Sequence, residues 1–213
     1  GNFDIVGAFE YKASDGDAPF IVADLQTSID HLFGTRASLA PGLSNTNQHL
    51  FGALVNVTGD HTSLMLRTSL GRDIGMGIGL AAALDPYGTI DTNTFEGRFE
   101  WRTNGDQWKA KVIFDELFYQ TLINNAHLFP PGAFNLFPDG VISNSNIQLQ
   151  KTRLQSRVEY TGWPSHHFSL GFGAETNRIK QNSESRNYTL INGLTIPLGT
   201  VQAIEDPNLL TFG

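Results

Sequence analysis

The chain has 213 residues, a formal net charge of −7, 22 glycines and no cysteine, and 16% of its residues are charged where globular chains average about 25%. The negative charge argues against a nucleic-acid partner, which requires a basic stripe, and the lack of cysteine excludes disulfide and thiolate chemistry. No apolar run approaches the roughly 18 residues of a transmembrane helix, so none is predicted.

The sequence predicts strands joined alternately by short turns and long polar loops. The short turns are residues 58–61, 103–107 and 161–166. The long loops are residues 13–47, 71–91, 120–147 and 178–213. Soluble sandwiches mix loop lengths at both ends, whereas outer-membrane barrels place short turns on the periplasmic side and long loops outside. This segregation therefore indicates a membrane barrel.

The first half of the chain predicts three strands and one helix. Successive side chains of a strand point to opposite faces. The apolar sides of the three strands are Phe3, Ile5, Phe9 and Tyr11, then Phe51, Ala53, Val55 and Val57, then Leu64, Leu66 and Leu70. Residues 20–34 have apolar side chains at helical spacing with Gly34 as a stop, which predicts a short helix inside the first long loop.

The next four strands show the strongest alternation. Their apolar sides are Phe95, Gly97, Phe99 and Trp101; Trp108, Ala110, Val112 and Phe114; Leu154, Val158 and Tyr160; and Phe168, Leu170 and Phe172. Charged residues such as Glu96, Arg98 and Glu100 occupy the opposite side. The tryptophans lie beside the short turns, where an aromatic girdle is expected at a membrane interface.

The predicted fold is therefore all-β: an antiparallel transmembrane β-barrel segment of about seven strands with long extracellular loops. Seven strands cannot close such a barrel, and an open edge in hydrocarbon leaves unpaired backbone groups at several kcal/mol each. Because the chain starts in mid-strand at Gly1 and stops at Gly213 without a closing element, we expect an internal piece of a longer protein. A soluble antiparallel sheet with one wet face is the alternative.

One outer loop carries the candidate ligand contacts. Residues 128–134 and 136–142 bring Phe129, Phe134 and Phe137 together with three prolines. These rings either contact an apolar or aromatic ligand arriving from outside or pack against neighbouring loops.

No set of nucleophile, base and orienting group stands out, so we predict neither an enzyme nor a bound cofactor. Asp15 and Asp17 are too few for calcium, and the pair His166 and His167 lacks further ligands at zinc spacing. The glycine-rich segment 77–82 matches a degenerate dinucleotide pattern without the surrounding βαβ unit, and we interpret it as a loop tip.

Residues 32–42, 75–86, 128–134 and 137–142, together with the order of strands and loops, resemble the TonB-dependent outer-membrane receptor family. The resemblance implies that residues 1–213 are a partial barrel domain of a 22-stranded, plugged barrel in the outer membrane of a Gram-negative bacterium. The plug domain, the TonB box and the remaining strands are absent from this sequence.

The resemblance also implies partners and a function: outer-membrane lipid, the plug domain of the same parent chain, the TonB complex acting through the missing N-terminal part, and a scarce ligand such as a ferric siderophore. Within the lumen, Arg98, Arg153 and Arg157 either attract an anionic ligand or pair with neighbouring and plug carboxylates. The rival functions are a passive porin-type channel and a soluble β-sheet ligand-binding module.

Overall fold

The computed structural model describes residues 2–204 and shows an all-β chain. Its elements are β1 (Phe3–Ser14), β2 (Phe20–Ile21), α1 (Leu25–Phe33), β3 (Gly42–Leu43), β4 (Gln48–Gly59), β5 (Thr62–Gly75), β6 (Thr89–Asn104), β7 (Trp108–Asn124), β8 (His127–Phe129), β9 (Val141–Trp163), β10 (His166–Ile191) and β11 (Leu194–Ile204). The predictions for Gly1 and for residues 205–213 lie outside the described residues.

One antiparallel sheet contains all the long strands. Their order is β1-β4-β5-β6-β7-β9-β10-β11, while β8 pairs with the start of β9, and β2 and β3 form a separate small ribbon. Each long strand therefore pairs with the next long strand along the chain. Strands β1 and β11 are the outermost and do not pair with each other, so the sheet formed by residues 2–204 is open.

The sheet has eight long strands where about seven were predicted, because the predicted loop over residues 178–213 contains the end of β10 and the whole of β11. Strand β10 continues to Ile191, and Asn192 and Gly193 turn the chain into β11 with φ angles of 50° and 79°. Positive φ at both central residues is what a tight hairpin requires, and Asn-Gly supplies it at low steric cost. Because the end of β10 is polar and does not alternate, the sequence pattern did not indicate β11.

The other predicted turns and loops are confirmed in position. At one end the long strands are joined by tight turns. At the other end residues 15–47, 76–88 and 125–140, which are shorter than predicted, join three pairs of strands, and the tight Asn192–Gly193 turn joins β10 to β11. The strands also lengthen along the chain, from 12 residues in β1 to 23 in β9 and 26 in β10.

The predicted helix is confirmed as α1. The carboxylate of Asp24 caps it by accepting a hydrogen bond from the Thr27 N–H, and Gly34 ends it with a φ of 66° in the left-handed region. Such caps satisfy backbone groups that have no partner within the helix. Among residues 2–204, no helix combines the length and apolar character required to cross a membrane.

The buried core lies among the long loops and the adjoining ends of β9 and β10. Its apolar members include Ala83, Leu84, Ala126, Ala133, Phe137, Val141 and Tyr188. Among the described residues, nothing covers either face of the part of the sheet that is distant from the long loops, and many large apolar side chains on its strands are exposed. The loops therefore form a folded unit of their own at one end of the sheet.

Candidate functional site

Hydrogen-bonding register gives the sheet one apolar face. Residues directly opposite each other on paired strands share a face. A single row across seven strands consists of Ile5, Val57, Leu64, Phe99, Phe114, Leu154 and Ala174. Every member is apolar, so the strand faces predicted separately from sequence coincide in one surface, which we call the apolar face.

The apolar band runs obliquely across this face. On β1 the band extends as far as Tyr11. The row of Tyr11 is apolar on β4 and β5, at Phe51 and Leu70, but polar on β7 and β9, at Gln120 and Gln148. At the end of the sheet with the tight turns, the band includes the row of Trp108, Tyr160 and Phe168. This row has no counterpart on β4 and β5, because the turn between those two strands comes before it. Each later pair of strands thus carries the band further towards the tight turns.

This obliquity has a geometrical meaning. Strands that close into a barrel tilt against the barrel axis, and their register shifts by a fixed stagger around it. A belt at constant height around such a barrel must cross the strands obliquely and always in the same direction. The band on the apolar face has that property, whereas the core face of a flat, untilted sheet would keep its apolar residues in register.

Aromatic rings gather beside the turns of the later strands. Trp108 lies 4.5 Å from Tyr160, Tyr160 lies 6.0 Å from Trp163, and Trp163 lies 5.2 Å from Phe168, between ring centroids. Trp108 and Trp163 are exposed despite these contacts. The cluster lies at the edge of the apolar band that is nearest the tight turns.

The opposite side of the sheet, which we call the charged face, brings two of the three predicted arginines together. Arg153 donates two hydrogen bonds to one oxygen of Asp115, at 2.7 and 2.9 Å, and Arg98 lies 3.8 Å from the other oxygen. Arg157 lies apart and pairs with Glu159 at 2.7 Å. All three predicted arginines are therefore ion-paired within the sheet.

The three predicted phenylalanines form one aromatic cluster. The ring of Phe134 lies 5.1 Å from that of Phe129, 6.5 Å from that of Phe137 and 6.4 Å from that of Phe33 in α1. Phe137 is only 2% exposed and packs against Val141. Phe137 thus has a packing role in this structure, while Phe129 and Phe134 remain partly accessible.

A buried carboxylate joins the first long loop to the second. Asp24 accepts hydrogen bonds from the N–H of Thr27 at 2.8 Å, from the hydroxyl of Ser38 at 2.8 Å and from the N–H of Leu84 at 2.7 Å. Burial opposes ionisation of Asp24, but these hydrogen bonds outweigh it and hold the pKa of Asp24 below its ordinary value. The charge therefore persists at the loop contact.

A second buried carboxylate joins the second loop to the third. Asp85 accepts hydrogen bonds from the N–H groups of Tyr87 and Gly88, both at 3.0 Å, and from the N–H of His127 at 2.7 Å. The His127 Nδ1 lies 3.5 Å from the same carboxylate. Burial opposes the charge on Asp85, yet the hydrogen bonds lower its pKa, and the Asp85 hydrogen bond raises the pKa of His127.

A side-chain amide fastens the third loop to the sheet. Asn187 on β10 accepts a hydrogen bond from the N–H of Ile142 at 2.8 Å and donates one to the carbonyl of Gly140 at 2.7 Å. With Asp24 and Asp85, this contact links residues 15–47, 76–88 and 125–140 to one another and to β10. We call this unit the loop cap.

Sequence reasoning did not single out the residues that hold the loop cap. Asp24 had a local signal, since an aspartate three residues before a threonine at the start of a helix is a capping pattern. Asp85, His127 and Asn187 had none, because their partners are distant in sequence. Among residues 2–204 there is no group of three or more side chains arranged to hold a metal ion.

Comparison of the chain with models of protein families, with curated proteins and with solved structures gave no significant match.

Proposed function

We propose that this chain is part of the wall of an outer-membrane barrel that serves as a TonB-dependent receptor in a Gram-negative bacterium. The observation that carries the proposal is the oblique apolar band, which is backed by a charged face and has the loop cap at one end and tight turns at the other. A belt of this kind suits the hydrocarbon layer around a tilted barrel, with the charged face turned towards a wet interior.

The strand lengths agree with this placement. At about 3.3 Å per residue, the 26 residues of β10 extend over roughly 85 Å, whereas a strand tilted by about 45° needs only about 42 Å to cross a 30 Å core. The surplus lies towards the loops, where β9 and β10 have Gln148, Gln150 and Gln181 on the same face as the apolar band. These polar segments would project beyond the membrane.

The loop cap and the ion pairs favour a receptor over a passive channel. The hydrogen bonds of Asp24, Asp85 and Asn187 hold three long loops in one arrangement, which suits selective capture of a ligand at the outer surface. The paired charges around Asp115 would line the space that a plug domain of the parent chain fills. The TonB complex would supply energy through a part of the protein that lies outside this sequence.

Lipid accessibility tests the membrane placement. The 213 residues contain no cysteine. After any cysteine elsewhere in the full reading frame has been replaced, a fluorophore can be attached to single-cysteine variants at Phe99, Glu100, Phe114 and Asp115 in lipid vesicles. Spin-labelled lipids should quench the probes at positions 99 and 114 and spare those at 100 and 115. Equal quenching at all four positions, or recovery of the protein from buffer without detergent, contradicts the proposal and favours a soluble binding module.

Conductance separates a plugged receptor from a pore. The full protein in a planar bilayer should give no steady ionic current, because a plug fills the lumen of a receptor of this type. A steady current through the unmodified protein would show an open lumen and replace the receptor function by that of a porin-type channel.

A further inference from the structure

Two consecutive residues of the second loop hold the first and the third loop of the loop cap. The N–H of Leu84 donates a hydrogen bond to Oδ2 of Asp24 in the first loop at 2.7 Å. Oδ2 of Asp85 accepts one from the N–H of His127 in the third loop at 2.7 Å. Leu84 and Asp85 are only 2% and 1% exposed, so both contacts are shielded from water. We call these two residues the shared latch.

Close packing surrounds the shared latch on both sides. A Cβ on Gly42 of the first loop would lie 3.0 Å from Cδ2 of Leu84, and a Cβ on Gly88 would lie 3.2 Å from Cα of Ala126 in the third loop. This packing leaves little room for the second loop to shift while its hydrogen bonds remain. Packed interiors of this kind change between discrete arrangements and do not deform continuously.

The covalent connection makes the two hydrogen bonds depend on each other. Only the φ and ψ angles of Leu84 separate its N–H from the Cα of Asp85. The carboxylate of Asp85 cannot swing independently, because it also accepts the N–H groups of Tyr87 and Gly88 at 3.0 Å. Since the two contacts of the shared latch are 2.7 Å long, a shift of about 1 Å lengthens them beyond hydrogen-bonding distance. Movement of the second loop after the loss of one contact therefore breaks the other.

We propose that the shared latch makes the first and the third loop open and close as one unit. An event at one of these loops, such as contact with a ligand, then reaches the other through the second loop. The first and third loops also touch directly, where the ring centroids of Phe33 and Phe134 lie 6.4 Å apart, and this contact is the rival route. The coupling is a property of the loops alone, so it does not depend on the membrane placement.

Amide hydrogen exchange in the full protein measures the coupling, because it reports the opening of each loop separately. Asp24→Ala breaks the contact with the first loop and leaves the acceptor of the His127 N–H in place. Exchange of the His127 amide should nevertheless become faster by about fivefold or more. In the reverse direction, Asp85→Ala should accelerate exchange of the Ser38 amide in the first loop, although its own acceptor, Asp30, is intact.

Thr46→Val is the matched control, since Thr46 accepts a hydrogen bond from the N–H of Ala18 within the first loop. It should leave exchange of the His127 amide unchanged. Protection of the Phe99 amide in the sheet separates opening of the loops from global unfolding and should be the same in every variant. If Asp24→Ala lowers this protection as well, the milder Asp24→Asn provides the same measurement in a folded sheet.

Two results would overturn the shared latch. In the first, the Asp24 variants accelerate exchange in the first and second loops and leave the His127 amide as in the parent protein. In the second, the effect on His127 disappears when Phe33→Ala is added, which assigns the coupling to the direct contact of the rings. Persistence of the effect in the Phe33→Ala background supports the route through Leu84 and Asp85.

Discussion

Asp85 and His127 join two long loops through a double contact in the buried interior of the loop cap. The carboxylate accepts the backbone N–H of His127 at 2.7 Å, and the His127 ring nitrogen Nδ1 lies 3.5 Å from it. The side chains are only 1% and 9% exposed, respectively. A buried carboxylate with several donors orders the surrounding backbone, and it leaves those donors unpaired when it is removed.

Asp85→Ala should therefore disrupt the loop cap. We expect a loss of about 3 kcal/mol in the free energy of unfolding, because three backbone N–H groups and the His127 ring lose their partner in a buried place. Urea unfolding followed by circular dichroism measures the loss. Asp17→Asn, in an exposed part of the first loop, is the control and should change stability by less than about 0.5 kcal/mol.

The same pair predicts a pH dependence with a definite sign. The folded protein raises the pKa of His127 above its ordinary 6.5, so this stabilisation is complete below pH 6.5 and is lost as the pH rises through the higher, folded value. An NMR titration of the imidazole should show the raised pKa. His127→Gln should remove the corresponding decline in stability, and an imidazole that titrates at or below 6.5 contradicts the prediction.

Asp85 determines the lower end of the pH range in which the loop cap is stable. Its pKa lies below the ordinary 3.8 in the folded protein, so its contribution is complete above pH 3.8 and disappears as the pH falls through the lower, folded value. The loop cap should therefore be most stable between pH 3.8 and pH 6.5, where both contributions are complete. Proteolysis of the loops across this range provides the measurement.

The strands and the helix were predictable because their signals are local. Phe99 and Phe114 reveal their faces by alternation within their own strands, and Gly34 marks the end of α1. The oblique band was not predictable in the same way, since it depends on which residues of different strands lie opposite each other. Asp85 and His127 are 42 residues apart, and nothing in the sequence near either residue indicates the other.

The Asn192–Gly193 turn was a second local signal, besides the helix cap at Asp24, that sequence reasoning missed. Gly193 has a φ of 79°, and a Cβ at this position would meet no atom within 4 Å. Gly193→Ala should therefore destabilise the β10–β11 hairpin by about 1 kcal/mol through backbone strain alone. Amide hydrogen exchange in β11 should accelerate, while Gly171→Ala should not have this effect, because Gly171 lies in β10 without a positive φ.

Asp24→Ala should separate the first loop from the second. It removes the N-cap of α1, which is worth about 1 kcal/mol, and leaves the buried N–H of Leu84 without its acceptor. Exchange of the Leu84 amide hydrogen should become faster by more than tenfold. Asp24→Asn keeps only one acceptor oxygen, whereas the carboxylate uses one oxygen for Thr27 and Ser38 and the other for Leu84. Exchange of the Leu84 amide in Asp24→Asn should therefore be faster than in the parent protein and slower than in Asp24→Ala, and equal exchange in the parent protein and Asp24→Ala would contradict this role.

Arg153→Gln tests whether the arginines of the charged face serve structure or ligand attraction. Arg153 shares Asp115 with Arg98 and is partly exposed, so its loss should lower the free energy of unfolding by no more than about 1 kcal/mol. Because the three arginines are already paired with carboxylates, replacing Arg98, Arg153 and Arg157 by glutamine should leave the salt dependence of ligand uptake by the full protein unchanged. A weaker salt dependence in the triple variant would show that these arginines attract anions from a distance despite their ion pairs.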